Sequence, residues 1–542
     1  MSVGGREHQV TALTTAAARP PTSRRGGQAW LIAGVAAIVL FFCYWRQSLS
    51  VPLSSDGSSN VLQAWDMLHG NLLLQHWQVS DVSFYTTELP QYMLVEAVGG
   101  LGVWVVHVAA AMTYTLLVLF AALLAKGQAC GRPGLARALL AAGLMLAPQL
   151  SATGIVLLSP DHTGTAVPLL LIWLLIDRLS PRWPVPVLVG LLFTWVMAAD
   201  SIVLVTGVIP LVLVAALRAV PMLIRRGARS AVRWYELALA AAAAAGGVAG
   251  GFAPRIITAL GGYHQAKVGT DTALGQLQHG SWVTLQAFLE IFGANIFGAS
   301  FDGATSVTEV VLVALHLAGV IAVVWALGLA AARLFRAADL MVPALAAAVV
   351  LNVGAYMVSV HAHDLQGARE MVEVLPLGAA LAGRVLGDRV LAWIRVARAW
   401  FVPVIIVLAA SYLAALGYGA AQSSVLPANE RLASWLVAHR LSDGLAGYWQ
   451  ANSTTMDTGR RVQVSSVIQG ADGKLVPYQW ETDDTNYDPA RHDATFLVAG
   501  GPAGLQGGPA AAVLTFGRPA RIYHADGYTI MVWNTNLLAR LG

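Results

Sequence analysis

Eleven apolar runs, most of them near the length of a bilayer span, leave this chain few ways to fold. They fall near 29–45, 103–125, 137–158, 163–177, 184–199, 201–218, 234–253, 306–332, 340–360, 371–387 and 400–418. A helical span needs about 20 apolar residues. Several runs are shorter than that or contain Pro148, Pro168 or Pro210. Only 11% of the residues are charged, well under the roughly 25% of a soluble domain, so a soluble fold is excluded. Gly is abundant at 53 residues, and Ala runs such as 240–245 recur. Small residues let membrane helices approach closely, although genomic base composition produces the same bias.

Charge sets the orientation. Of the 33 Lys and Arg, twenty fall in the segments that lie inside if the N-terminus is cytoplasmic. Only Arg46, Arg255, Lys267 and Arg369 fall in the outer loops, and nine lie beyond residue 418. That asymmetry follows the positive-inside rule, implies an odd number of spans and places the C-terminus outside. The net charge of +4 thus reflects inner loops, and no nucleic-acid partner is expected. Residues 1–28 read as a disordered cytoplasmic tail. The first run reads as an uncleaved anchor, because its flanks are long for a signal peptide. Cys43 and Cys130 fall toward opposite faces of the membrane, so no disulfide is expected.

Beyond residue 418 the composition turns polar and Gly-rich. An amphipathic helix is expected over 427–440, with strands over 462–467, 474–480, 494–498, 511–516 and 528–533 and a loop over 500–508. The fold expected is an all-α polytopic membrane bundle of about eleven transmembrane helices over 29–418. Its first outer loop is 46–102 and its large outer loop 254–305. A small extracytoplasmic α/β domain follows over 419–542.

Within 1–418, fourteen carboxylates fall outside and five inside, an imbalance that the positive-inside rule does not require. Surface solubility accounts for many of them. Asp56 follows the first span and precedes a helix expected over 60–69. It suits either a turn near a helix start or a chemical role. Asp81 and Glu88 flank Phe84 and Tyr85, a mixture that suits a sugar and equally suits a capping loop at the bilayer surface. Asp161 and His162 form an adjacent pair able to hold a cation or a base. Asp200 interrupts an apolar stretch. On the cationic side stand Arg255, Lys267, the His361-Ala362-His363-Asp364 segment and Arg369-Glu370. An outward arginine beside apolar spans binds a phosphate well, but it also snorkels or pairs with its neighbour. Trp449, Trp480, Tyr487 and Trp533 are either a carbohydrate surface or core.

The order of these features resembles the GT-C membrane glycosyltransferases. The features are a carboxylate soon after the first span, an aromatic-rich first loop, Asp-His in the next outer loop, a late outer Arg-Glu and a C-terminal extracytoplasmic domain. The nearest branch is the actinobacterial, protein-mannosyltransferase-like type (glycosyltransferase family 39-like). The resemblance implies transfer of a sugar, with inversion, from a polyprenyl-phosphate donor to a glycan, lipid or protein acceptor outside the cytoplasm. It implies Asp56 as general base and Arg369, Arg255 and Lys267 near the donor phosphate. Asp81, Glu88, Asp161, His162 and His363 would line the substrate pocket. The lone Asp56 departs from the Asp-Glu or Asp-x-Asp pair of several members, which leaves a divalent metal open. A transporter or flippase, or a non-catalytic subunit of an envelope-assembly complex, are the competing readings.

Overall fold

The computed structural model describes residues 24–53, 55–224, 231–269, 274–297, 307–332, 339–501 and 504–541. Most of the expected tail 1–28, part of the large loop 254–305 and part of the loop 500–508 lie outside the described residues. Helices occupy every expected apolar run. They are α1 (Arg24–Ser48), α2 (Ser55–Leu68), α3 (Leu89–Gly99), α4 (Trp104–Lys126), α5 (Gly131–Met145), α6 (Thr153–Val156), α7 (Thr163–Arg178), α8 (Pro184–Met197), α9 (Ile209–Ile224), α10 (Ala231–Ala259), α11 (Leu277–Ile291), α12 (Val307–Ala331), α13 (Met341–Met357), α14 (Val374–Val396) and α15 (Arg398–Ala420).

Among the described residues, five helical stretches are long and apolar enough to cross a membrane: Trp30–Ser48, Trp104–Lys126, Trp234–Ala259, Val310–Ala331 and Arg398–Ala420. The chain is a multi-pass membrane protein. The other runs differ from the simple hydropathy picture. The expected span 137–158 is not one helix, because the chain turns between α5 and α6 around Pro148. A π-helical turn at Leu204–Val208 precedes α9. α14 is long enough but carries Arg384, Asp388 and Arg389.

Small residues do set the helix spacing. A Cβ on Gly246 of α10 would approach the Gly190 carbonyl oxygen of α8 at 2.2 Å, so only Gly allows that crossing. At the end of α7 and α14 away from Asp161 and Glu370, buried charges tie the bundle. Arg384 bonds Asp177 at 2.6 Å and Asp339 at 3.0 Å. Arg384→Ala would leave Asp177 buried without its main partner, at a cost of about 3–5 kcal/mol. A detergent melt should place its midpoint far below that of Arg384→Lys, and equal midpoints would refute the assignment.

The C-terminal part is α/β. It contains α16 (Glu430–Ala438), α17 (Tyr448–Asp457) and α18 (Gly508–Phe516). Among the described residues the strands are β1 (Trp77–Val79), β2 (His264–Gln265), β3 (Asp443–Ala446), β4 (Gln463–Gln469), β5 (Leu475–Pro477), β6 (Thr482–Asp483), β7 (Phe496–Gly500), β8 (Arg521–Ala525) and β9 (Tyr528–Val532). Six of them form a sheet in the order β5-β4-β3-β7-β9-β8. β3, α17 and β4 make a parallel crossover unit, the connection that a buried parallel pair requires. Phe496, Val464 and Ile530 fill one core of this sheet, while Leu497, Phe516 and Trp533 fill another. The strand expected over 511–516 is instead the end of α18. Pro509 in its first turn and Gly517 at φ +80 after it are helix start and stop signals.

Candidate active site

Three distant segments meet in a second, three-stranded sheet of order β2-β1-β6. β1 belongs to the first loop, β2 follows α10, and β6 belongs to the C-terminal region. The Gln78 side-chain amide donates to Asp484 at 2.7 Å, and the Asp484 N–H donates to the His76 carbonyl at 2.9 Å. This sheet carries Ser80 and Asp81 at the end of β1, Val268 just beyond β2, and Trp480 and Glu481 at the start of β6 to one place. They line a cavity of about 200 Å³ together with Asp56, Val82, Phe84, Asp161, His162, His361, Arg369 and Glu370.

Asp56 reaches the cavity from α2. That helix begins at Ser55, five residues before the expected start, so Asp56 sits in its first turn, where a carboxylate is favoured by the helix dipole. Gly57 allows the approach, since a Cβ there would meet Val106 at 3.2 Å and Ser159 at 3.4 Å. Arg369, on the short turn before α14, donates from Nη1 to Asp56 Oδ2 at 3.0 Å, and the same nitrogen lies 3.9 Å from Asp161 Oδ2. Asp161 is also held by Asn60 at 2.8 Å and by the Ser159 hydroxyl at 2.7 Å. Burial raises the Asp161 carboxyl despite Arg369. Burial disfavours the Arg369 cation, but Asp56 and Asp161 more than restore it.

His162 sits between two carboxylates. Its Nδ1 lies 2.8 Å from Asp200 and its Nε2 3.1 Å from Glu370. With both ring nitrogens facing acceptors, the doubly protonated ring satisfies the geometry best. Burial opposes that charge, yet Glu370 and Asp200 raise the imidazole well above its ordinary value. Burial likewise pushes Glu370 up, and His162 overrides it and holds the carboxyl at about 2. Phe84, His162 and Glu481 line the cavity with φ of +52, +60 and +47. Left-handed backbone at non-glycine residues is costly and tends to gather at functional sites.

Asp81, Asp161, His162 and Arg369 therefore join Asp56 as the sequence suggested. Glu88 stands behind the wall rather than in it. Its carboxylate accepts from the Thr165 N–H at 2.6 Å and the Thr165 hydroxyl at 2.9 Å, and burial with the Asp200 charge lifts it to about 8. Gly164 makes room, because a Cβ there would stand 2.6 Å from Glu88 Cγ. Three more expected residues are likewise not part of the cavity. Arg255 stays on α10, which continues through Pro254, and its guanidinium lies 5.4 Å from the Phe252 ring. Lys267 is exposed, and its neighbour Val268 takes the place on the wall. His363 is exposed and turns to Asp364 at 3.2 Å, whereas His361 lines the cavity 3.9 Å from Asp81. Glu481 and the adjoining Tyr448 were not singled out in the sequence, while Glu370, His361 and Trp480 were noted there without an assigned role in the pocket. Among the described residues, no group of three or more His, Cys, Asp or Glu has a metal-holding arrangement.

No protein-family model and no curated protein matches this chain. Solved structures similar to it include the Archaeoglobus fulgidus oligosaccharyltransferase tethered to an acceptor peptide. That likeness has 14% identity and a TM-score of 0.44, covering 81% of this chain and 64% of that one. The oligosaccharyltransferase AglB from Archaeoglobus fulgidus, in complex with an inhibitory peptide and a dolichol-phosphate, has 14% identity and a TM-score of 0.42, over 81% and 65%. ArnT from Cupriavidus metallidurans in the apo state has 14% identity and a TM-score of 0.42, over 95% and 99%. The chain spans less than two thirds of the archaeal enzyme's length. Any assignment of function to this chain rests on the cavity itself.

The His162 cluster has a pH signature. His162 is raised, so its contribution to stability is whole below about 6.5 and is lost as pH rises through its folded-state value. Glu370 is depressed, so its contribution is present above about 4.3 and is lost as pH falls through about 2. The apparent melting midpoint in detergent should fall as pH rises above about 6.5, and His162→Gln should flatten that slope. An unchanged slope in the variant would assign it to another group.

Proposed function

We propose that the chain is a glycosyltransferase of the cell membrane, moving a sugar from a polyprenyl-phosphate donor to an acceptor hydroxyl outside the cytoplasm. One observation carries the reading: a carboxylate and a guanidinium, Asp56 and Arg369, are bonded at 3.0 Å inside a single cavity at the helix ends. Transfer to a hydroxyl needs a base for its proton and a cation for the departing phosphate. Asp56 accepts the proton as the hydroxyl attacks the anomeric carbon from the face opposite the phosphate, which inverts that centre. Arg369 takes the charge that grows on the lipid phosphate as its bond to the sugar breaks. Nη1 makes both carboxylate contacts, so the Nε and Nη2 edge has no carboxylate partner among the described residues and suits a phosphate. Trp480 and Phe84 offer ring faces to a sugar, and Asp81 and Asp161 offer acceptors to its hydroxyls.

The topology that goes with this reading has about eleven spans, a cytoplasmic N-terminus and residues 419–542 outside. The cavity lies at the starts of α7 and α14, where His162 and Glu373 precede the helices. A transporter site would be expected nearer the bilayer midplane. Proteoliposomes separate the two. With polyprenyl-phosphate sugars labelled in the sugar, the transferase moves label onto a water-soluble or lipid acceptor. Label that crosses the bilayer still attached to its lipid, with no transfer, would overturn the proposal in favour of a flippase.

A further inference from the structure

The Tyr448 hydroxyl lies 2.6 Å from Asp56 Oδ1 and 2.6 Å from Glu481 Oε2. A phenol has one proton to donate, and an ionised carboxylate has none. Both contacts are hydrogen bonds only if one of the two carboxyl groups keeps its proton. Asp56 is the poorer candidate, because its other oxygen takes a charge-assisted bond from Arg369 at 3.0 Å, which favours the ionised form. Glu481 is 2% exposed and has no salt-bridge partner among the described residues. Asp56 on α2, Asp161, Tyr92 on α3, Tyr448 on α17, Tyr478 and the Ser80 hydroxyl face it, and Arg369 in the same cavity is already held by Asp56.

The placement is built rather than incidental. The Glu481 carbonyl accepts from Ser59 on α2 at 3.2 Å and from Asn452 on α17 at 2.7 Å. Its backbone is held at φ +47, and β6 follows at once. Ser55 on α2 in turn donates to the Tyr448 carbonyl at 2.7 Å. The C-terminal region thus grips the helix that carries Asp56 at the turn where Asp56 emerges.

We propose that Glu481 is a positioning residue that enters the cavity as a neutral acid, donates to Tyr448, and through the Tyr448 hydroxyl holds Asp56 ionised and aimed. The proton order is Glu481 carboxyl to Tyr448 oxygen and Tyr448 hydroxyl to Asp56 Oδ1, with Arg369 on Asp56 Oδ2. Burial, and then the Asp56 charge, hold the Glu481 carboxyl well above the usual carboxylate range, in accord with that order. The extracytoplasmic part is then part of the reaction centre, and its docking sets the base. The kinetic role rests on the proposed transfer reaction; the protonation state does not.

Two measurements on the full-length protein in lipid nanodiscs test it. Infrared difference spectra of wild type against Glu481→Gln at neutral pH should lose a protonated-carboxyl C=O component, and Tyr448→Phe should shift that component. An unchanged band in Glu481→Gln overturns the proposal, whatever the protein catalyses. In the transfer assay, Glu481→Gln keeps a donor for Tyr448 and should lose far less rate than Glu481→Leu, which keeps none. Tyr448→Phe removes one hydrogen bond from Asp56 and should cost about tenfold in kcat with KM for the donor kept. A wild-type kcat in Tyr448→Phe, or Glu481→Gln as damaging as Glu481→Leu, contradicts the relay. A wild type that transfers no sugar sinks the transfer reading, and the infrared result still decides the state of Glu481.

Discussion

Arg369→Ala is expected to lower sugar transfer by about 100- to 1,000-fold, the scale for removing one preorganised group from a developing negative charge. The effect has two parts. The leaving phosphate loses its cation, and Asp56 and Asp161 lose the guanidinium that offsets their mutual repulsion. Asp161 is already raised by burial with Arg369 present, so it should take up a proton more readily in the variant. Arg369→Lys keeps a charge but not the planar two-edged donor, and should recover only part of the rate. Full activity in Arg369→Ala would remove the phosphate assignment. The loss should appear in kcat rather than only in donor affinity, because the charge on the bridging oxygen develops as the bond breaks.

Asp56→Asn is the second large effect. General base catalysis contributes roughly 100- to 10,000-fold, and Asn keeps the size and one acceptor oxygen while losing the basicity. Donor binding should survive, since Asn still accepts from Tyr448 or Arg369. A variant that binds donor normally and turns over within this range below wild type fits a base. A variant that loses donor binding with unchanged kcat would make Asp56 a binding residue instead.

The membrane part was legible because hydropathy is local: most apolar runs became single helices, and 137–158 broke into α5 and α6 around Pro148. The failures came where local signals competed. The segment Ser55-Asp56-Gly57-Ser58-Ser59-Asn60 has turn composition, yet it is the first turns of α2. Packing of Gly57 against Val106 and Ser159 overrides propensity there. The large outer loop was expected to begin at residue 254, but α10 runs on to Ala259, which carries Arg255 onto the helix surface. Residues 511–516 are a short apolar run, and periodicity alone does not separate a strand from a buried helix at that length.

The site was half legible for a similar reason. Asp56, Asp161 and Arg369 stand out as polar residues beside apolar spans, so their types could be read before their contacts. Nothing local in Tyr448 or Glu481 sets them apart from an ordinary α/β surface. Their meaning comes from β6 pairing with β1 and from α17 packing on α2 across nearly 400 residues of chain, the Tyr448–Asp56 contact itself spanning 392. Of the four C-terminal aromatics read as either carbohydrate surface or core, Trp480 is the one that lines the cavity.

The most direct test of the transfer site is donor cleavage in a single turnover. Purified wild-type protein and Asp56→Asn are each mixed in excess with a panel of radiolabelled polyprenyl-phosphate sugars and an acceptor mixture. Release of polyprenyl phosphate is followed together with retained donor binding. The account predicts that both proteins bind one of the donors and that only the wild type releases the lipid phosphate and glycosylates an acceptor at an appreciable rate. Bound but intact donor in the wild type across the panel, or release by Asp56→Asn at the wild-type rate, would contradict it.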